Sequence, residues 1–164
     1  MLEAIKDDFF NDFEILLGQA ITLKQDLQSS FHLNRIKVVA ENPEKALAVA
    51  DFAWVGSGTS TLESVLLNTP IVLVYKTSFF SWYLMQKMVK VEYAGMPNII
   101  MNARLVPELL QKNLNSKNLI YETKRFFQDT TYKAKMLAGY KKIRNRLGEK
   151  GASRRTAEII INET

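Results

Sequence analysis

The stretch Ala50-Asp51-Phe52-Ala53-Trp54-Val55-Gly56-Ser57-Gly58-Thr59-Ser60-Thr61-Leu62-Glu63 decides the reading of this chain. Its apolar part, Phe52 to Val55, predicts a short buried strand. Gly56 and Gly58 permit torsions that a side chain forbids, and Thr59 to Leu67 then predicts a helix. A strand that ends in a glycine turn and opens a helix brings unpaired amides, and the positive end of the helix dipole, to the rim of a sheet. Such a rim is an anion site, most often for phosphate. A second reading uses the same residues. Ser60-x-x-Glu63 is a capping box, which satisfies the helix's own amides and needs no ligand.

Downstream, Asn68-Thr69-Pro70 ends the helix and Ile71 to Tyr75 is apolar at every position, as a strand covered on both faces requires. Upstream, Ile36 to Ala40 predicts a strand, and Asn42-Pro43-Glu44 opens a helix with proline at its first position. Phe13 to Gly18 predicts another strand, followed by a helix over Ile21 to Leu33. Leu2, Ile5, Phe9 and Phe13 recur at helical spacing. Beyond the central strand, Gly95 to Ile100 reads as a turn into a short strand and Val106 to Gln111 as a short helix. Helices follow over Ser116–Phe127, Thr130–Arg146 and Ala152–Ile161, with Gly148 and Gly151 between the last two. Strands alternating with helices predict an α/β fold, a Rossmann-like parallel sheet with helices on both faces. The expected organisation is a sheet domain over residues 1–127 and a basic helical tail over 128–164. Ligands of such sheets bind beyond the carboxyl ends of the strands, where Gly56-Ser57-Gly58 and Tyr75-Lys76-Thr77 would lie.

Composition narrows the chemistry. The 164 residues include no cysteine, which excludes disulfides and thiolate catalysis, and one histidine, His32, which excludes a multi-histidine metal site. His32 is expected at the surface between a helix and a strand. The N-terminus lacks the basic start and long apolar core of a signal peptide. No apolar run reaches the roughly 18 residues of a membrane span. These features predict a cytoplasmic protein, with peripheral contact at an anionic membrane as its extension.

Charge is uneven. The net charge is +5, yet Thr131 to Arg155 carries nine basic residues against Glu149 alone. That asymmetry points to an anionic partner, whether lipid headgroup, nucleic acid or acidic protein, or to an ordinary solvated helix face. Only Tyr132 and Tyr140 interleave it, so stacking on nucleic acid is poorly supported. Phe79 to Val89, apolar and aromatic with Lys76, Lys87 and Lys90 at its fringe, reads as a core or homodimer helix before it reads as an interfacial membrane helix.

Taken in order, Gly56-Ser57-Gly58-Thr59-Ser60-Thr61-Leu62-Glu63, Leu66-Leu67-Asn68-Thr69-Pro70, the strand ending in Tyr75, Leu84 to Tyr93 with Lys87-Met88-Val89-Lys90, Pro97-Asn98-Ile99 and Val106-Pro107-Glu108-Leu109-Leu110-Gln111 resemble lipid-A-disaccharide synthase over roughly residues 42–111. The resemblance implies the nucleotide-sugar half of a two-domain GT-B glycosyltransferase, needing no metal and no cofactor. The implied reaction transfers 2,3-diacylglucosamine from its UDP donor to 2,3-diacylglucosamine 1-phosphate, inverting the anomeric centre. It further implies that Ser57, Gly58, Thr59 and Thr61 hold the UDP diphosphate, that Glu63 accepts from ribose hydroxyls, and that Asn98 contacts donor sugar or phosphate. Lys76 stands where the family commonly has arginine, and Met101-Asn102-Ala103-Arg104 replaces Ala-Gly-Arg-Glu. Nothing before Phe13 resembles the family's Gly-Ser-Arg loop or the strand before it. The expectation is therefore a truncated domain whose acceptor half and catalytic base belong to a missing N-terminal half or a partner chain.

Overall fold

The computed structural model describes residues 1–19, 35–40, 42–78, 81–82, 92–148 and 151–162. The expected helix over 21–33, His32 and the Lys87–Lys90 block lie outside the described residues, and of the expected helix over 79–89 only Ser81 and Trp82 are described.

The element order is β1 (Ile15–Gly18), β2 (Ile36–Val39), α1 (Pro43–Val49), β3 (Ala53–Gly56), α2 (Ser60–Leu67), β4 (Ile71–Tyr75), α3 (Met96–Met101), β5 (Glu108–Leu110), α4 (Ser116–Gln128), α5 (Thr130–Leu147) and α6 (Ala152–Asn162). Every strand pair is parallel. β1 pairs with β2, Ile15 opposite Ile36, and β4 lies between β3 and β5, with Val55 opposite Leu73 and Val74 opposite Leu109. This is the α/β, Rossmann-like architecture that the alternation of strands and helices predicts.

Burial explains the sequence of β4. Ile71 joins a core with Val55, Val65, Val106, Met136, Tyr140 and Ile143, while Val72 and Val74 join Ala4, Leu109 and Leu119 in another. Alternate side chains point to opposite faces of a strand, so a strand with a core on each face is apolar throughout. Ile71, Val72 and Leu73 are fully buried. Replacing such a leucine by alanine costs about 2–5 kcal/mol in packed cores. β1 is apolar in its first three residues too, yet Ile15, Leu16 and Leu17 are only half-buried.

The basic segment begins inside this core. Met136, Gly139, Tyr140 and Ile143 form the buried face of α5. Gly139 marks its closest approach: a Cβ there would stand 2.2 Å from Leu105 Cδ1. The residues preceding β1 pack through rings. Phe10 meets Trp54 edge-on at 5.8 Å, and Phe13 meets Phe127 at 5.1 Å.

Three sequence expectations give way. Leu2–Phe13 forms no continuous helix but two 3-10 turns, Ala4–Lys6 and Asp8–Phe10, because the extended Asp7 between them caps the second by accepting from the Phe9 amide. Gly95–Ile100 leads into helix α3 instead of a strand. Pro97 sits in its first turn and Asn102 closes it at φ +49°. Val106–Gln111 is not a helix: Glu108–Leu110 is strand β5, completed by pairing along β4, and a 3-10 turn follows over Gln111–Asn113.

Candidate functional site

The turn after β3 stands at the carboxyl rim of the sheet, and it is open. Gly56, Gly58, Thr59 and Ser60 are exposed, and a Cβ built at Gly56 or Gly58 would meet nothing within 4 Å. Gly58 has φ +147°, a backbone region closed to most side chains. Space and torsion together therefore leave the main chain bare here.

The capping box does not form. Thr59 is the N-cap, already in helical torsions, and makes no side-chain cap bond. The Glu63 amide bonds the Thr59 carbonyl, the Leu62 amide does the same, and the Thr61 amide reaches Gly58 O. Amides ahead of Thr61 have no carbonyl one turn back within the helix. Glu63 is exposed on the first turn of α2.

The remaining residues fix the turn from behind. Thr61 is fully buried, and its hydroxyl donates to Gly58 O at 2.8 Å. Ser57, half-buried, donates from Oγ to Ala94 O at 3.1 Å, tying the turn to the segment before α3. Asn98 is fully buried with both ends of its amide engaged. Its Nδ2 donates to Val106 O and Glu108 Oε1, and its Oδ1 accepts from the Leu105 and Val106 amides, all at 2.8–2.9 Å. Thus Ser57, Gly58, Thr59 and Glu63 come together at the rim, whereas Thr61 and Asn98 turn inward.

One strand over lies a cavity of about 970 Å³ at the carboxyl ends of β4 and β5, lined by Lys76, Thr77, Trp82, Tyr93, Arg104 and Gln111 among others. Its size falls at the upper end of small-molecule sites. Tyr93 precedes Ala94, so the cavity wall and the glycine turn are one hydrogen bond apart. Removal from water, reinforced by the Glu92 charge, raises the Tyr93 hydroxyl above the usual phenol range. It therefore remains protonated, able to donate as well as accept. Glu108 is the hub beneath. Its carboxylate accepts from the Ala94 and Gly95 amides as well as from Asn98.

Sequence reasoning placed Glu108 and Gln111 on a helix, and so missed that β5 delivers both to the rim. Pro107 ahead of an apolar pair, beside so strong a neighbouring strand, was the signal for β5. Among the described residues no group of acidic and histidine side chains is arranged to hold a metal ion. No described helix is long and apolar enough to cross a membrane.

The charge of α5 is partly used internally. Arg144 donates to Val65 O and Asn68 Oδ1, each at 2.9 Å, and Arg146 donates to Ile100 O. These two arginines bind carbonyls in the last turns of α2 and α3, where the helix dipole is negative.

A sequence model described as lipid-A-disaccharide synthetase matches residues 9–161. The chain belongs to the lipid-A-disaccharide synthetase family. Curated relatives named lipid-A-disaccharide synthase agree. The one from Myxococcus xanthus is 33% identical over 141 residues, 84% of this chain and 37% of the relative. That from a Sulfurihydrogenibium species is 36% identical over 121 residues, 73% and 31% respectively. That from Anaeromyxobacter dehalogenans strain 2CP-C is 34% identical over 126 residues, 77% and 33%. The chain thus spans about a third of the length of these relatives.

Proposed function

We propose that this chain is the donor-binding part of a lipid-A-disaccharide synthase, holding a UDP-linked 2,3-diacylglucosamine. The observation that carries the reading is the open glycine turn at the carboxyl rim of β3, with no capping box to occupy it. A diphosphate seated there meets main-chain amides from Gly58 to Ser60 and the hydroxyl of Thr59. Ser57 and Thr61 shape the turn, and Asn98 acts as a positioning residue through Glu108. Glu63, one turn along the exposed side of α2, accepts from the ribose hydroxyls; a carboxylate accepts without offering a competing donor.

These donors would act in catalysis by stabilising the charge that grows on UDP as the sugar leaves, an effect that fixed dipoles supply without reorganising. The acceptor, 2,3-diacylglucosamine 1-phosphate, and the catalytic base belong to a further domain in this reading. The 164-residue chain alone is therefore expected to bind UDP weakly and turn nothing over. Calorimetry or ligand-observed NMR with UDP tests it: Glu63→Ala should weaken binding about tenfold, the loss of a charge-assisted hydrogen bond, and Glu44→Ala should not. The reading fails if the wild-type chain ignores millimolar UDP.

A further inference from the structure

We propose that β1 and β3 are the two sides of a slot in one parallel sheet, and that an extended apolar segment from outside these 164 residues enters it as a further parallel strand.

The starting observation is a sheet in two pieces. β1 pairs with β2 and β3 pairs with β4, but β1 and β3 do not pair with each other. A strand, a helix and a second strand make the crossover that normally joins parallel strands of one sheet. β2, α1 and β3 follow that order, yet the two strands fall in separate sheets. α1 nevertheless packs on β1, on β2 and on α2, so it spans both pieces. The edges that approach each other are those of β1 and β3. Phe13, two residues ahead of β1, and Phe52, directly ahead of β3, both pack on the Phe127 ring, their centroids 5.1 and 5.9 Å from it. The two rings are therefore at most about 11 Å apart, a bound that admits two interstrand steps of about 4.8 Å. Phe10 meets Trp54 of β3 in the same region.

Main-chain groups lie on both of these edges. In a parallel strand the amide and carbonyl of one residue take one side and those of the next take the other. Gln19 N donates to Val39 O, and Ala53 N to Pro70 O, each at 2.9 Å. Leu16 and Gly18 thus turn their main-chain groups away from β2, and Trp54 and Gly56 turn theirs away from β4. Among the described residues none of these four has a strand partner on that side. Unpaired edges of this kind take up extended segments. The neighbours set the chemistry of what enters. Ile15, Leu16 and Leu17 flank the slot on one side and Ala53, Trp54 and Val55 on the other, in strands of four residues each. A strand between them is central to a parallel sheet, and such strands are apolar throughout, as β4 is. It would end at the rim that carries the glycine turn, giving that turn a neighbour on the side away from β4.

The probe is a synthetic peptide with the sequence of β4, Ile71-Val72-Leu73-Val74-Tyr75, flanked by lysines for solubility. This fold already pairs that sequence in parallel on both edges. Amide hydrogen exchange of the 164-residue chain is read by NMR with and without the peptide. The Leu16, Gly18, Trp54 and Gly56 amides should slow about tenfold at nine-tenths occupancy, while those of Leu17 and Val55, already in ladders, should change little. The same peptide with Val72→Pro and Val74→Pro should slow none of them, because proline cannot donate to a ladder. Slowing at Ile36, Val38 and Leu110, on the outer edges, in place of the four overturns the proposal. So does the absence of slowing at every soluble peptide concentration, or equal slowing by the proline peptide. UDP takes no part in this measurement, so the proposal and the donor-binding reading stand or fall separately.

Discussion

The side chains of Asn98 and Glu108 meet across 2.8 Å, Nδ2 donating to Oε1, and this one bond joins the first turn of α3 to the start of β5. Both residues are otherwise occupied with main chain. Asn98 bonds the Leu105 amide and both main-chain groups of Val106, and Glu108 holds the Ala94 and Gly95 amides. Between them they set the path of the chain around the cavity wall.

Asn98→Ala should therefore destabilise the protein. It would orphan both Val106 main-chain groups at a fully buried site, each lost partner costing about 1–3 kcal/mol, and leave the Leu105 amide only its bond to Ala103 O. Relaxation and entering water reduce the sum, so a loss of roughly 3 kcal/mol is expected, or about 6–12 °C in melting temperature for a chain of this size. Asn98→Asp keeps the shape but sets a second carboxylate against Glu108. Like charges this close raise the pKa of the pair, so the penalty should be largest at pH 7 and ease toward pH 5. Thermal melts at both values check the sign. Equal destabilisation at the two pH values would mean that Glu108 does not sense residue 98.

The basic segment gives a second prediction. Arg144→Ala removes two bonds at the C-terminal end of α2, to Val65 O and Asn68 Oδ1. A loss of about 1–2 kcal/mol follows for bonds from a charged donor at a partly exposed site. Lys142→Ala, at an exposed position of the same helix, should change stability by less than about 0.5 kcal/mol. Urea unfolding of the two variants measures the contrast. If they prove equal, the Arg144 contacts contribute nothing and its charge is as available to an anionic partner as that of Lys142.

What could be read in advance follows from where each segment's constraint lies. β4 announces itself because burial on both faces leaves no position for a polar residue. The β3–α2 turn is legible because Gly58 answers a torsion that the turn itself imposes. Gly95–Ile100 and Val106–Gln111 depart from what their local sequence predicts for a shared reason. Ile99-Ile100 favours a strand locally and Glu108-Leu109-Leu110 a helix, but both are overruled by neighbours far along the chain. β5 exists because β4 offers an unpaired edge; α3 exists because Pro97 sets its first turn and Asn102 accepts a left-handed close. The capping box failed for a subtler reason. The helix starts one residue earlier than the motif assumes, so Ser60 falls inside it and its carbonyl accepts from the Ser64 hydroxyl. Glu108 and Gln111 could not be recognised as partners of the rim without that strand.

The segment ahead of β1 should loosen at low pH. Asp7 Oδ1 accepts from Lys124 Nζ at 2.9 Å and from the Phe9 amide at 3.0 Å. Foremost the Lys124 bond, then the Phe9 amide, lower the Asp7 carboxyl below its ordinary 3.8. A carboxyl depressed on folding stabilises the folded state above its unfolded pKa, and that stabilisation is lost as pH falls through the folded value. No change from this group is expected between pH 7 and 5. Below about pH 4 the pair with Lys124 should weaken, freeing the turn that carries Phe10 against Trp54. Asp7→Asn retains a side-chain acceptor for the Phe9 amide and deletes only the charge. The melting-temperature difference between wild type and Asp7→Asn should be constant down to about pH 5 and shrink once the pH falls below about 4. Tryptophan fluorescence, to which Trp54 contributes, follows the same transition. A difference that stays constant to pH 2.5 would show that the Lys124 pair does not anchor this segment.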